Sequence, residues 1–235
     1  MRFKGPLVPG KLIRRYKRFL TDVLLDTGQT VTAACPNTGS MLGLTGAGNR
    51  VWLSHSDSPT RKYAHTWELV EVPQIGIVGI NTAHPNHIVA EAIAQQKIPS
   101  LSGYGAMRGE VRYGENSRID LLLEDENRPP CYVEVKNVHF FRKPGLAEFP
   151  DCVTKRGTKH LVELSNMVRN GARAVMIYLI QNNGPSRFAL ADDKDSVYFN
   201  EFKKARLLGV EALALTCHIS TVEISVDKSI PILDP

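Results

Sequence analysis

The sequence predicts a two-part α/β protein: an all-β barrel over residues 1–80, followed over residues 81–235 by a mixed sheet flanked by helices. Three observations lead there. Up to Ile80 the chain is a series of short β-prone runs broken by turn residues. Beyond Ile80, helical periodicity appears and alternates with strand-like stretches. Ala174–Ile180 is an unbroken apolar run, the pattern of a strand buried on both faces.

In the first part the runs are Phe19–Leu25, Thr30–Cys35, Arg50–His55, Thr66–Val72 and Ile75–Ile80. Asp26-Thr27-Gly28, Pro36-Asn37-Thr38-Gly39 and Gly46–Asn49 punctuate them. Five short strands at this spacing suit a small closed barrel of the oligonucleotide/oligosaccharide-binding (OB) class. Polar Asn81–Asn86 then marks the boundary. A helix is expected from Pro85 to Gln96, with Ile88, Val89, Ala92 and Ile93 on one face and Pro99 as its stop. Glu110–Tyr113, Ser117–Leu123 and Cys131–Val138 read as strands, with Glu124–Pro130 as a polar connection. Lys159–Asn170 reads as a helix closed by Gly171, and Phe199–Leu208 as a helix closed by Gly209. Val210–Cys217 is a further buried strand.

Composition bounds the function. Hydrophobic residues make up 43% and charged residues 23% of the 235, ordinary values for a globular chain. No apolar run approaches the roughly 18 residues of a membrane span, and the N-terminus lacks the apolar core of a signal peptide. A cytoplasmic protein without a membrane partner is expected. Cys35, Cys131, Cys152 and Cys217 lack zinc-type spacing and are expected to be free thiols, small residues of the core. The net charge is +5, and its distribution matters more than its sum. Lys11, Arg14, Arg15, Lys17 and Arg18 crowd one stretch; Arg61 with Lys62, Arg142 with Lys143, and Lys155, Arg156 and Lys159 form others. Arg14, Arg15, Lys17 and Arg18 interleave with Tyr16 and Phe19, a mixture suited to phosphates and stacked bases. Asn37 and Thr38, in a polar turn, could present backbone N–H groups to a phosphate. A solvated or packed role is the competing reading for each group, above all for Trp67 and Phe19.

One constellation carries chemistry. Glu134 and Lys136 are two apart on an expected strand and share a face, while Cys131, Val133 and Val135 face the core. Asp120, on the preceding strand, can stand beside Glu134 in a hairpin. Adjacent carboxylates repel unless a cation or proton neutralises them. Hard oxygen ligands suit Mg²⁺ or Mn²⁺, which would stabilise charge on a phosphate while Lys136 orients or deprotonates a water. Glu91, on the helix after the boundary, is a weaker third metal ligand. Asp120, Glu134 and Lys136 are therefore the candidate catalytic set. An exposed cross-strand ion pair is the alternative.

With these residues in hand, the chain resembles the sugar fermentation stimulation protein A family. The resemblance rests on Arg15–Phe19, Pro36–Met41, Arg61–Leu69, Val78–Thr82, Ser117–Asp120, Val133–Asn137, Phe149–Asp151 and Val153–Leu161. It implies an OB-type barrel followed by a PD-(D/E)xK nuclease-like unit, with Asp120 as the first acid, Glu134 as the second and Lys136 as the lysine. It also implies DNA binding and a link to the regulation of sugar use, notably of maltose. The family often carries a His shortly before the Pro-Asn-Thr-Gly turn, where this chain has Thr32-Ala33-Ala34-Cys35. Three functions stay open: a DNA-binding protein with a nuclease-type metal site, an active Mg²⁺-dependent endonuclease acting on DNA or RNA, and a carbohydrate-binding module. The sequence leaves the oligomeric state open, a homodimer included.

Overall fold

A computed structural model describes residues 1–233. The first sheet holds β1 (Val8–Tyr16), β2 (Leu20–Leu25), β3 (Thr30–Ala34), β4 (Arg50–His55), β5 (His65–Val72) and β6 (Gly76–Gly79). Its order is β3-β2-β1-β4-β5-β6, and a parallel β3–β5 pairing closes the first five strands into a barrel. The barrel is five-stranded as expected, but its membership differs. The five runs expected from sequence correspond to β2 to β6, and β1 is additional. Its closely spaced basic residues mask the inward Gly10 and Leu12, and a bulge between Leu12 and Arg14 breaks the alternation beyond them. β6 lies outside the ring, paired only to β5 within that sheet. Trp67 is fully buried in the barrel core with Val23, Leu53 and Val78, so it is a packing residue.

The chain continues through α1 (Pro85–Ala94), β7 (Ala106–Tyr113), β8 (Ser117–Asp125), β9 (Arg128–Val138), β10 (Phe140–Lys143), β11 (Leu146–Phe149), α2 (Lys155–Arg169), β12 (Arg173–Ile180), β13 (Arg187–Leu190), α3 (Ser196–Leu207), β14 (Glu211–Ile219) and β15 (Ile224–Ile230). The main sheet runs β15-β14-β12-β9-β8-β7. Its centre, β9-β12-β14, is parallel and its flanks are antiparallel. This is the mixed sheet that the sequence predicted. The apolar face of α1 (Ile88, Val89, Ala92, Ile93) covers one side of the sheet. Leu161 and Leu164 of α2 and Tyr198 and Phe202 of α3 cover the other.

Several expectations change. The polar connection expected at Glu124–Pro130 shrinks to a tight turn, because β9 already starts at Arg128 and includes Pro129 and Pro130. Pro99 opens a short 3₁₀ turn (Pro99–Leu101) after α1 ends at Ala94. α2 starts four residues earlier than expected, since Thr154 caps it by accepting from the Gly157 amide at 3.0 Å. Strands β10, β11, β13 and β15 lack a clear sequence signal; the first three form a small separate sheet. All four cysteines are free, but Cys152 is exposed and not a core residue.

The barrel and the main sheet share a core. Leu7 and Leu69 pack in one cluster with α1, β8, β9 and β12, and Trp52 and Ile77 pack against it. Polar stitches add to this. Gly79 N–H donates to the Gln181 carbonyl, and Asn182 Nδ2 donates to the Ile75 and Ile77 carbonyls at 3.1 and 2.7 Å. No helix is long and apolar enough to cross a membrane among the described residues.

Candidate metal centre and nucleic-acid interface

The β8–β9 hairpin brings Asp120 to Glu134. Its ladder runs Leu123↔Cys131, Leu122↔Tyr132, Leu121↔Val133. At the next position the side chain of Asp120 replaces a backbone rung: Oδ2 accepts from the Val135 amide at 2.7 Å. Oδ1 accepts from Asn86 Nδ2, on α1, at 2.8 Å. The carboxylate is thereby locked at the point where the two strands part.

Glu134 is 2% exposed, and its two oxygens differ. Oε1 accepts from Lys136 Nζ at 2.7 Å and from His160 Nδ1. His160 Nε2 in turn accepts from Arg156 Nε at 3.3 Å, so the ring proton sits on Nδ1 and points at Glu134. Oε2 is buried and has no partner. A buried, unpaired carboxylate oxygen beside a second acid is costly unless a cation meets it. The environment also pushes the two acids apart in pKa. Burial, then the charge of Glu134, raises Asp120 above the ordinary carboxylate range. Burial pushes Glu134 upward too, but His160 and Lys136 outweigh it and hold Glu134 below that range. The pair offers hard oxygen donors, one of them unpartnered, and so fits a divalent cation. Among the described residues no three His, Cys, Asp or Glu side chains gather in metal-cage spacing. Two carboxylates are the usual protein share for Mg²⁺, whose other ligands are water and phosphate oxygens.

Glu91 does not join them. Its carboxylate takes the amino group of Met1, which also donates to the Ile224 carbonyl at 2.7 Å. The α1 residue that reaches Asp120 is Asn86 instead. His160, adjacent in sequence to the basic start of its helix, does not share that helix's exposed face: it is 3% exposed and acts on Glu134. The signal is present in the sequence: Gly157, His160, Leu161 and Leu164 share one buried helical stripe.

The register of the barrel gathers two of the basic groups. Tyr16 pairs with Leu20, Leu20 with Ala34, and Ala34 with Thr66. The β1–β2 turn, the loop after β3 and the loop before β5 therefore open on one rim. On it lie Lys17, Arg18 and Phe19, then Thr38, then Arg61 and Lys62, all exposed except for partial anchoring of Arg61 by Thr66. This rim abuts the start of α2. Ser40 Oγ donates to Asp151, and His139 Nε2 stands 3.7 Å from the same carboxylate. Lys155, Arg156 and Lys159 follow on the exposed side of α2's first turns, with Lys159 Nζ donating to the Glu115 carbonyl at 2.6 Å.

Other sequence-nominated residues have partners within the protein. Arg15 spends its guanidinium on the carbonyls of Arg18, Asn37, Gly39 and Ser40 and so pins the loop after β3. Asn37 is buried; it donates to the Ile80 carbonyl and accepts from the Gly39 amide. Arg14 pairs with Asp22 at 2.9 Å and lies over the Tyr16 ring. Arg142 is neutralised by Glu148 and Asp193.

Comparisons with known proteins agree with this architecture. Residues 83–223 match the family model described as "Sugar fermentation stimulation protein RE domain", and residues 13–80 match the "SfsA N-terminal OB domain". The sugar fermentation stimulation protein homolog of Brucella anthropi is 56% identical over 232 residues, covering 99% of this chain and 100% of the relative. That of Brucella ovis is 55% identical over 234 residues, covering 100% of this chain and 98% of the relative. A solved structure of Pyrococcus furiosus SfsA, described as a complex with Ca²⁺, superposes with a TM-score of 0.88 at 26% identity, covering 100% of this chain and 98% of that one. The chain belongs to the sugar fermentation stimulation protein family.

Proposed function

We propose that this protein binds nucleic acid, DNA foremost, across the basic rim and the start of α2, at a nuclease-type site where Asp120 and Glu134 hold a divalent metal. The reading assigns residues 1–80 to binding and residues 81–235 to the metal site. The observation that carries it is the unpartnered, buried Oε2 of Glu134, on the strand beside a locked Asp120 and next to an exposed basic surface. The Ca²⁺ complex of the Pyrococcus furiosus relative supports a divalent ion here, and Mg²⁺ or Mn²⁺ is the physiological choice we favour. When bound, the metal supplies Lewis-acid stabilisation of phosphate charge. The protein's own residues do the rest. Asn86 and the Val135 amide hold Asp120 in place. His160 fixes Glu134, and Lys136, 2.7 Å from Glu134, can position a water or balance charge on the phosphate. The family's name refers to sugar fermentation, and we take the link to be regulation through DNA.

Calorimetric titration with Mn²⁺ and Mg²⁺ tests the metal reading. One site is expected in the wild type and none in Glu134→Gln. Unchanged binding in that variant ends the assignment. An active endonuclease is the second reading, favoured by the placement of Lys136. Metal-dependent cleavage of DNA or RNA by the wild type, absent in Lys136→Ala, would establish it.

A further inference from the structure

The tip of the β1–β2 turn has an unusual build. Lys17 and Arg18 both adopt left-handed backbone conformations, with φ of 50° and 64°, which non-glycine residues seldom do in succession. The turn leaves Phe19 52% exposed, although its neighbour Leu20 is buried in the sheet. The tight β1–β2 hairpin itself requires the two left-handed residues; what points to a ligand is the exposed aromatic ring beside two cations, which the barrel's own packing leaves uncovered.

The surroundings of the tip set a direction. Arg15 fixes the tip and the loop after β3 to each other through the carbonyls of Arg18, Asn37 and Gly39. Burial and the neighbouring Asp151 raise the Cys152 thiol, while the charge of Arg18 opposes them, so the tip lies within electrostatic reach of the segment that enters α2. Ser40 closes the same seam by donating to Asp151. Lys155 and Arg156 come next, and Arg156 touches His160, which touches Glu134.

We infer that the ligand is single-stranded nucleic acid, with one base stacked on Phe19 and the backbone passing over Lys17, Arg18 and Thr38 to Lys155 and Arg156 at the edge of the carboxylate pair. The inference rests on the nucleic-acid reading above and narrows it. An exposed ring stacks most favourably on an unpaired base or a strand end, because in a duplex the faces of the bases are covered by their neighbours and inserting a ring costs unstacking.

Fluorescence anisotropy without divalent metal, using labelled oligothymidylate and a duplex of equal length, tests this on the full chain. The single strand is expected to bind at least about fivefold tighter than the duplex, and Phe19→Ala to lose about that factor or more on the single strand alone. Phe19→Trp should keep the affinity, and its added indole emission should fall as the oligonucleotide binds. Since Phe19 is half exposed, these variants leave the core intact, which unchanged thermal denaturation verifies. Equal affinity for both ligands, or a Phe19→Ala variant that binds the single strand as the wild type does, overturns the inference while leaving nucleic-acid binding standing. Absence of binding to either ligand overturns both.

Discussion

At the scale of single residues, the site is a conflict held in place. Asp120 is kept beside Glu134 by the Asn86 amide and the Val135 N–H, which both donate to its carboxylate. Because burial and Glu134 raise its pKa, an ionised Asp120 costs the folded state stability at neutral pH. Asp120→Asn removes the charge but leaves one oxygen for the two donors, so its signature is a pH dependence: the stability of the metal-free variant relative to the wild type should rise as pH climbs from about 4 toward neutrality. The substitution should also abolish the rise in thermal midpoint that Mn²⁺ gives the wild type. Differential scanning fluorimetry across pH, with and without Mn²⁺, reads both, and a difference between variant and wild type that does not change with pH refutes the conflict. Residues of this kind are legible in part. The alternation of Val133, Glu134, Val135 and Lys136 places the acid and lysine on one face with no structure to hand. His160 and Asn86 are harder, because their roles depend on which helix covers which face of the sheet.

At the scale of elements, α2 decides whether Glu134 is held. Its start depends on Thr154, which accepts from the Gly157 amide, and on Asp195 of the α3 cap, which accepts from the Thr154 amide at 2.7 Å. Gly157 is needed there: a Cβ would meet Thr154 Oγ1 at 2.8 Å and the Tyr198 ring at 3.1 Å. Thr154→Ala should cost about 1 kcal/mol. Gly157→Ala should cost about 1–3 kcal/mol by overpacking, despite the better helix propensity of alanine. Urea denaturation measures both, and a stabilised Gly157→Ala would show that α2 and α3 have room between them. Elements are readable where periodicity is long. Arg50–His55 agrees to the residue, and Ala174–Ile180 to within one. β1 escapes because its outward positions are cations in close succession, and β10, β11 and β13 because four-residue strands carry too little pattern.

At the scale of the molecule, two carboxylates tie acid sensitivity to the junction of barrel and sheet. His139, then the Ser40 hydroxyl, holds Asp151 well below the usual carboxylate range despite partial burial. Burial pushes Glu68 upward, but His84, Ser54 and Asn81 hold it below its ordinary value. A carboxyl whose folded pKa is depressed stabilises the protein fully above its unfolded pKa, and that contribution is lost as pH falls toward the folded value. Stability is thus expected to drop below about pH 4. Asp151→Asn should flatten that acid limb, as followed by circular dichroism; an unchanged limb would rule out Asp151 as its source. The rim makes a second expectation at this scale. Replacing Lys17, Arg18, Lys155 and Arg156 by alanine should lower the slope of log affinity against log salt by about one for each phosphate left without its cation. Their convergence is invisible in the sequence, since it arises from barrel closure through the Ala34↔Thr66 pairing and from the Ser40–Asp151 seam. The core shared by Leu7 and Leu69 with α1 and the main sheet has a consequence of its own. Barrel and sheet are not beads on a string, and no linker sets their spacing. On the single-strand reading proposed above, a strand gripped at Phe19 would meet the carboxylates after a fixed contour, and the molecule would work as a ruler: any cut would fall a constant number of nucleotides from the gripped base, whatever the length of the strand.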